Sequence, residues 1–217
     1  MDTISLKKVN KSIKGKRVLC DINVQLKRGE ICAFLGRNAS GKTMLLRMIA
    51  GLILPDEGSV DVFGQPISAQ QIFPRDLGLI IETIGLWDHL NGLENLMLLA
   101  GIRRKVGREE AKYAMTRVGL DPEDPQKYKA YSLGMKQKLV FAQAIMEEPE
   151  LLVLDEPTNS MDEEAVDIFR KVIREENARG ATILIATHQL EDIKGLPHAY
   201  YEMIAGRCTQ LRVDQWK

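Results

Sequence analysis

The octapeptide Gly36-Arg37-Asn38-Ala39-Ser40-Gly41-Lys42-Thr43 fits the pattern G-x-x-x-x-G-K-[ST]. A loop of this composition wraps a phosphate chain with successive backbone N–H groups pointing inward. It opens a helix whose free N–H groups and dipole favour an anion. In that arrangement Lys42 reaches the β- and γ-phosphates of a nucleoside triphosphate, and the Thr43 hydroxyl binds Mg²⁺. Further along, the apolar run Leu151-Leu152-Val153-Leu154 ends in Asp155-Glu156. Neighbouring side chains leave a strand on opposite sides, so the two acids are expected to do different work. Asp155 suits a direct or outer contact to Mg²⁺ beside Thr43. Glu156 suits the orientation or deprotonation of an attacking water.

These groups need a scaffold, and the sequence around them describes one. Ile31-Cys32-Ala33-Phe34-Leu35 is apolar on both faces, as a central parallel strand should be, and it runs directly into the Gly-rich loop. A helix is expected over residues 42–50. Residues 18–26 alternate, with Ile22, Val24 and Leu26 on one face, and a short strand is expected over 59–63 after the turn Pro55-Asp56-Glu57-Gly58. Further strands are expected over 77–81, 151–154, 182–186 and 199–204, with a helix over 164–177. Between residues 88 and 146 the apolar period becomes helical: Leu93, Leu96, Leu99 and Ala100, then Ala111, Ala114, Met115 and Val118. Strands alternating with helices imply a parallel α/β sheet with a helical insertion.

Composition narrows the function. The chain has 217 residues, 30 basic and 30 acidic, and 45% are apolar. One sizeable core can form, disorder is excluded, and no basic excess points to nucleic acid. No apolar run approaches the length of about 20 residues that a spanning helix needs, and the first ten residues do not read as a signal peptide. Cys20, Cys32 and Cys208 read as reduced, small buried apolar residues. The basic stretch containing Lys7, Lys8, Lys11, Lys14, Lys16 and Arg17 reads as a solvated edge hairpin rather than a phosphate- or lipid-facing patch. His89 and His198 read as ordinary structural histidines.

Tyr131-Ser132-Leu133-Gly134-Met135-Lys136-Gln137-Lys138 resembles the signature LSGGQ-x-Q-[RK] of the ATP-binding-cassette (ABC) family, with Leu133 and Met135 departing from its commonest form. Lys42, Tyr131-Ser132, Asp155-Glu156 and Thr187-His188 follow in that family's order and spacing. Asn159-Ser160-Met161-Asp162 is similar to its D-loop, and His188 to its switch histidine. The resemblance covers essentially the whole chain. It implies a single nucleotide-binding cassette over residues 1–217: a P-loop core sheet of RecA type, an N-terminal antiparallel β subdomain, and an inserted helical subdomain over roughly 86–146. It also implies an Mg²⁺-dependent ATPase that closes head to tail with a second subunit, favouring a homodimer. Residues 36–43 would bind ATP, with Ile13 against the base. Ser132, Leu133, Gly134 and Met135 would face the partner's ATP. Ser160 and Asp162 would carry the D-loop, and Lys42, Glu156 and His188 would be catalytic.

Three departures carry expectations of their own. Glu82 stands where the family usually has glutamine; an oxygen there can still bind Mg²⁺ but adds charge. Ile13 replaces a common aromatic, so base discrimination should be looser unless a ring comes from elsewhere. Ala39 replaces a usual loop glycine, so position 39 is expected at negative φ. Ile80-Ile81-Glu82 with the variant signature resembles the branch that powers ABC-2-type exporters, including bacitracin and lantibiotic self-protection systems. That branch implies a separate transmembrane permease, no nucleic acid, and a cytoplasmic place on the inner face of the membrane. Trp87 and Leu90 are candidates for the permease contact, or equally for packing beneath the insertion. Other classes weighed are a soluble ABC-type ATPase acting on a macromolecular partner, and a phosphate-loop kinase, for which the signature and His188 have no use.

Overall fold

The computed structural model describes residues 3–70, 73–81 and 85–211 of the chain. Two sheets carry it. The first is antiparallel and built from β1 (Thr3–Ile13), β2 (Lys16–Lys27), β4 (Glu57–Val62) and β5 (Gln65–Pro66), in the order β2-β1-β4-β5. The second orders β10 (Arg207–Leu211), β9 (Ala199–Ile204), β3 (Ile31–Leu35), β8 (Thr182–Thr187), β7 (Leu151–Asp155) and β6 (Leu77–Ile80) side by side. All its neighbours pair in parallel except β10, which returns antiparallel along β9.

The central strands are apolar along their interiors because each feeds two cores. Ile31, Ala33 and Leu35 of β3, Leu152 and Leu154 of β7, and Ile183 and Ile185 of β8 face the core shared with the helical segment. Cys32, Phe34, Leu151, Val153, Leu184 and Ala186 face the other, beneath α1 (Lys42–Ile49) and the antiparallel sheet. The side-chain period of two therefore leaves no polar position inside them, and Thr182, Thr187 and Asp155 stand at strand ends. In β1 the register shifts between Leu6 and Val9, with Lys8 at φ 50°, and this bulge returns Val9 to the core side. Ile22, Val24 and Leu26 of β2 are buried, as their alternation requires.

The helical segment comprises α2 (Gly92–Arg103), α3 (Arg108–Arg117), a 3₁₀ turn (Tyr128–Ala130) and α4 (Leu133–Ile145). Asn91 caps α2 in a capping box: its side chain accepts from Glu94 N, and the Glu94 carboxylate accepts from Asn91 N. The fully buried Asn95 side chain accepts from Trp87 N at 2.8 Å and donates to Trp87 O and Asn91 O, fixing the loop before the helix. The exposed Trp87 thus sits on a firmly held turn, with Leu90 half-buried beside it.

α3 is tied to α5 (Glu163–Ala178) by Arg117, which donates to the buried Glu176 at 2.6 Å and to Glu175 at 2.9 Å. Burial opposes the Arg117 charge; the hydrogen bonds to Glu176 and Glu175 outweigh it, and its pKa is raised. Cys32 is buried, whereas Cys20 and Cys208 are only half-buried, contrary to expectation; all three thiols are free. Burial of the sulfur atoms pushes the thiols of Cys32 and Cys208 up to about 12. Among the described residues, no helix is long and apolar enough to cross a membrane.

Candidate functional site

The site forms where β3, β7 and β8 end together. After Leu35 the chain turns through Gly36 to Gly41 and enters α1 at Lys42. Gly41 has φ 111°, and a Cβ there would stand 3.1 Å from Val18 O, so no other residue fits without strain. Ala39 has φ 62°. This corrects the expectation of a negative angle: the loop needs a left-handed residue at that point to turn its amides inward. The single methyl of alanine tolerates it at a cost of about 1–2 kcal/mol. Gly206 N donates to Ser40 O and Cys20 N donates to Gly206 O, each at 2.8 Å, so β2 and the β9–β10 turn brace the loop.

Lys42 is almost fully buried. Its Nζ donates to Gly36 O at 2.7 Å and stands 3.3 Å from Glu156 Oε1. Thr43 Oγ1 donates to Asp155 Oδ2 at 2.5 Å. Asp155 is the last residue of β7, and Glu156 follows at φ 48° with its N–H held by Ala186 O at 2.8 Å. The two carboxylates part, one toward Thr43 and one toward Lys42, where the chain leaves the strand at Glu156. Glu156 Oε2 lies 2.9 Å from His188 Nδ1. The structure thus brings Lys42, Thr43, Asp155, Glu156 and His188 together from three separate stretches of chain.

A cavity of about 770 Å³ opens over the loop, lined by residues 38–44, Glu156, Ile13, Lys16, Arg17, Val18, Ala205 and Gly206. Its volume suits a nucleotide. Ser40 Oγ is buried there without a hydrogen-bond partner among the described residues, a hydroxyl awaiting a polar ligand. Ile13 lines the cavity, and no aromatic residue among the described residues joins it. Lys16 and Arg17, read from sequence as part of a solvated hairpin, border the cavity instead. The sign of this in the sequence was their nearness to Ile13 across the Lys14-Gly15 turn.

Ser132, Leu133, Gly134 and Met135 line no part of this cavity. Ser132 caps α4, its Oγ accepting from Met135 N at 3.2 Å, and Leu133 is 63% exposed. Gly134 packs so closely that a Cβ would stand 3.2 Å from Ser160 O. Ser160, at φ 68°, is exposed, and Asp162 caps α5 by accepting from Ala165 N at 2.8 Å. Gln137 Nε2 donates to Pro157 O at 2.9 Å, a contact that sequence spacing gave no sign of. Glu82 lies outside the described residues. His198 is structural: its Nδ1 accepts from Ile31 N and its N–H donates to Ile31 O.

Comparison with known proteins agrees with this architecture. The family model described as ABC transporter matches residues 19–159. An uncharacterised ABC transporter ATP-binding protein of Bacillus subtilis, YybJ, is 41% identical over 94% of this chain and 94% of its own. The bacitracin transport ATP-binding protein BcrA of Enterococcus faecalis is 37% identical over 95% of this chain and 68% of its own. Two longer Bacillus subtilis relatives are spanned over only 62% and 63% of their length. The fold superposes on a bacterial ABC transporter cassette solved as a dimer, with a TM-score of 0.84 at 22% identity, covering 96% of this chain and 99% of that one. The family match and these relatives show that the chain belongs to the ABC transporter family as an ATP-binding, ATP-hydrolysing cassette.

Proposed function

We propose that this cassette is half of a dimeric motor that drives a separate membrane permease, and that Glu156 is its catalytic base. The observation that carries this reading is the placement of Glu156 between Lys42 Nζ at 3.3 Å and His188 Nδ1 at 2.9 Å. Lys42 is poised to leave its contacts with Gly36 O and Glu156 for the phosphates of ATP. Glu156 then loses its cation and is free to take a proton from water, with His188 fixing its orientation. Thr43 and Asp155 offer two hard oxygen donors side by side, the donor type that Mg²⁺ takes together with water and phosphate. The residues fit the ion, which when bound would neutralise charge on the phosphate oxygens. Glu82 is assigned a further metal contact from its place in the sequence alone.

Ser132 to Met135, exposed at the start of α4 and away from the chain's own cavity, are assigned to the ATP of a second subunit. A second copy of this chain is the simplest partner, since one chain carries both halves of a site. The single cassette is assigned to residues 1–217, with the helical subdomain near 86–146. The bacitracin transport protein among its relatives supports an export role, with the cassette on the cytoplasmic face of the membrane, held there by its permease and not by nucleic acid. Trp87, on its fixed turn, is the proposed permease contact.

The test is Glu156→Gln. ATP-dependent dimers should accumulate on gel filtration, and turnover should fall by about 10²–10⁴-fold. Turnover at the parent rate would remove Glu156 as the base, and a monomer at saturating ATP would remove the closure.

A further inference from the structure

We infer that Gln137 is a positioning residue for Glu156, joining the segment offered to the partner's nucleotide to the carboxylate of the chain's own site. This rests on the ATPase reading above. Gln137 lies about one turn into α4, past the Ser132 cap, and its amide donates to Pro157 O at 2.9 Å. Pro157 follows Glu156 directly and has no N–H, so its carbonyl is its one backbone hydrogen-bonding group.

Glu156 itself stands at φ 48°, a conformation that a non-glycine residue keeps only when its surroundings hold it there. The bond from Glu156 N to Ala186 O holds one side. Gln137 holds the other. The stretch beyond is stiff: Asn159 N donates to Glu156 O, Met161 N to Thr158 O, and Thr158 Oγ1 to Asp192 Oδ2 at 2.6 Å. Gly134 packs against Ser160 O at the far end of the same loop. A displacement of α4 must therefore carry the Pro157 carbonyl with it, and so the peptide that begins at Glu156. A misplacement of about 1 Å in a reacting group costs on the order of 10²-fold in rate. The contact is thus a means for engagement of the partner's ATP by Ser132 to be felt at Glu156.

The test compares Gln137→Met, which keeps the length of the side chain without a donor, with Gln137→Lys, whose ammonium can reach the same carbonyl. The readouts are steady-state ATP hydrolysis by the purified full chain and its thermal midpoint. For Gln137→Met, kcat should fall about tenfold or more with KM within about twofold, the pattern of an interaction realised in the transition state. The midpoint should hold, and Gln137→Lys should recover much of kcat. Parental kcat in Gln137→Met, no recovery with lysine, or a joint loss of kcat, KM and midpoint would each overturn the role. If the unaltered chain turns over no ATP, the ATPase reading fails and this inference with it. If it is active while Gln137→Met matches it, only the inference fails.

Discussion

Single positions in the phosphate loop show where residue type alone misleads. Ala39 was expected to avoid positive φ because alanine generally does, yet it stands at φ 62°. The loop path, set by the amides it must turn inward, overrides the preference of one side chain. The strain predicts a graded response. A β-branched residue at this angle is a true outlier, so Ala39→Val should lower stability by about 1–2 kcal/mol. Ala39→Gly should stay within about 1 kcal/mol of the parent, because relief of strain is offset by a freer unfolded chain. Thermal unfolding without nucleotide reads both, and an Ala39→Val protein as stable as its parent would contradict the strain. Other residues were legible from the start. Lys42, Thr43, Asp155 and Glu156 sit in short motifs whose spacing is fixed by local geometry. Lys16 and Arg17 were legible only through their nearness to Ile13, because the brace between Cys20, Gly206 and Ser40 that sets that hairpin beside the loop joins distant residues.

Elements were readable in proportion to how much of their signal is local. The apolar runs of β3, β7 and β8 and the capped helices α2 and α5 could be read from a few adjacent residues each. What joins them could not, because it depends on residues far apart in sequence. Arg117 of α3 and Glu176 of α5 are 59 positions apart and meet at 2.6 Å. Glu176 also accepts from Arg179 at 2.7 Å, and Arg179 in turn donates to Pro149 O. This group anchors the helical segment to the end of α5 and to the approach to β7. Glu176 is 2% exposed, so Glu176→Ala leaves two guanidinium groups short of a carboxylate in a poorly solvated place. The expected cost is about 2–4 kcal/mol, read as a lower urea midpoint at unchanged slope. Glu176→Gln keeps the shape and one acceptor and should cost less. Equal stability of the alanine variant and the parent would show that Glu175 alone suffices to hold Arg117.

At the scale of the whole molecule, the proposed site is divided between two faces. Lys42 and Glu156 lie in the cavity, whereas Ser132 caps a helix start that lines no part of it. A head-to-tail dimer with two-fold symmetry would place each face against the other twice, and this arrangement can be tested by complementation. Lys42→Ala removes the phosphate cation but leaves the signature intact. Ser132→Arg blocks the signature but leaves the chain's own phosphate loop intact, at a helix-cap cost of about 1 kcal/mol. Each protein alone has no complete site and should hydrolyse ATP at background. Mixed in equal amounts, half of the dimers pair one of each, and each mixed dimer holds one complete site out of two. Turnover per chain should therefore recover to about a quarter of the parent value if the two sites act independently. A smaller recovery would mean that an intact site works less well beside a broken one. No recovery, with both variants folded by circular dichroism, would exclude a shared site that fires on its own.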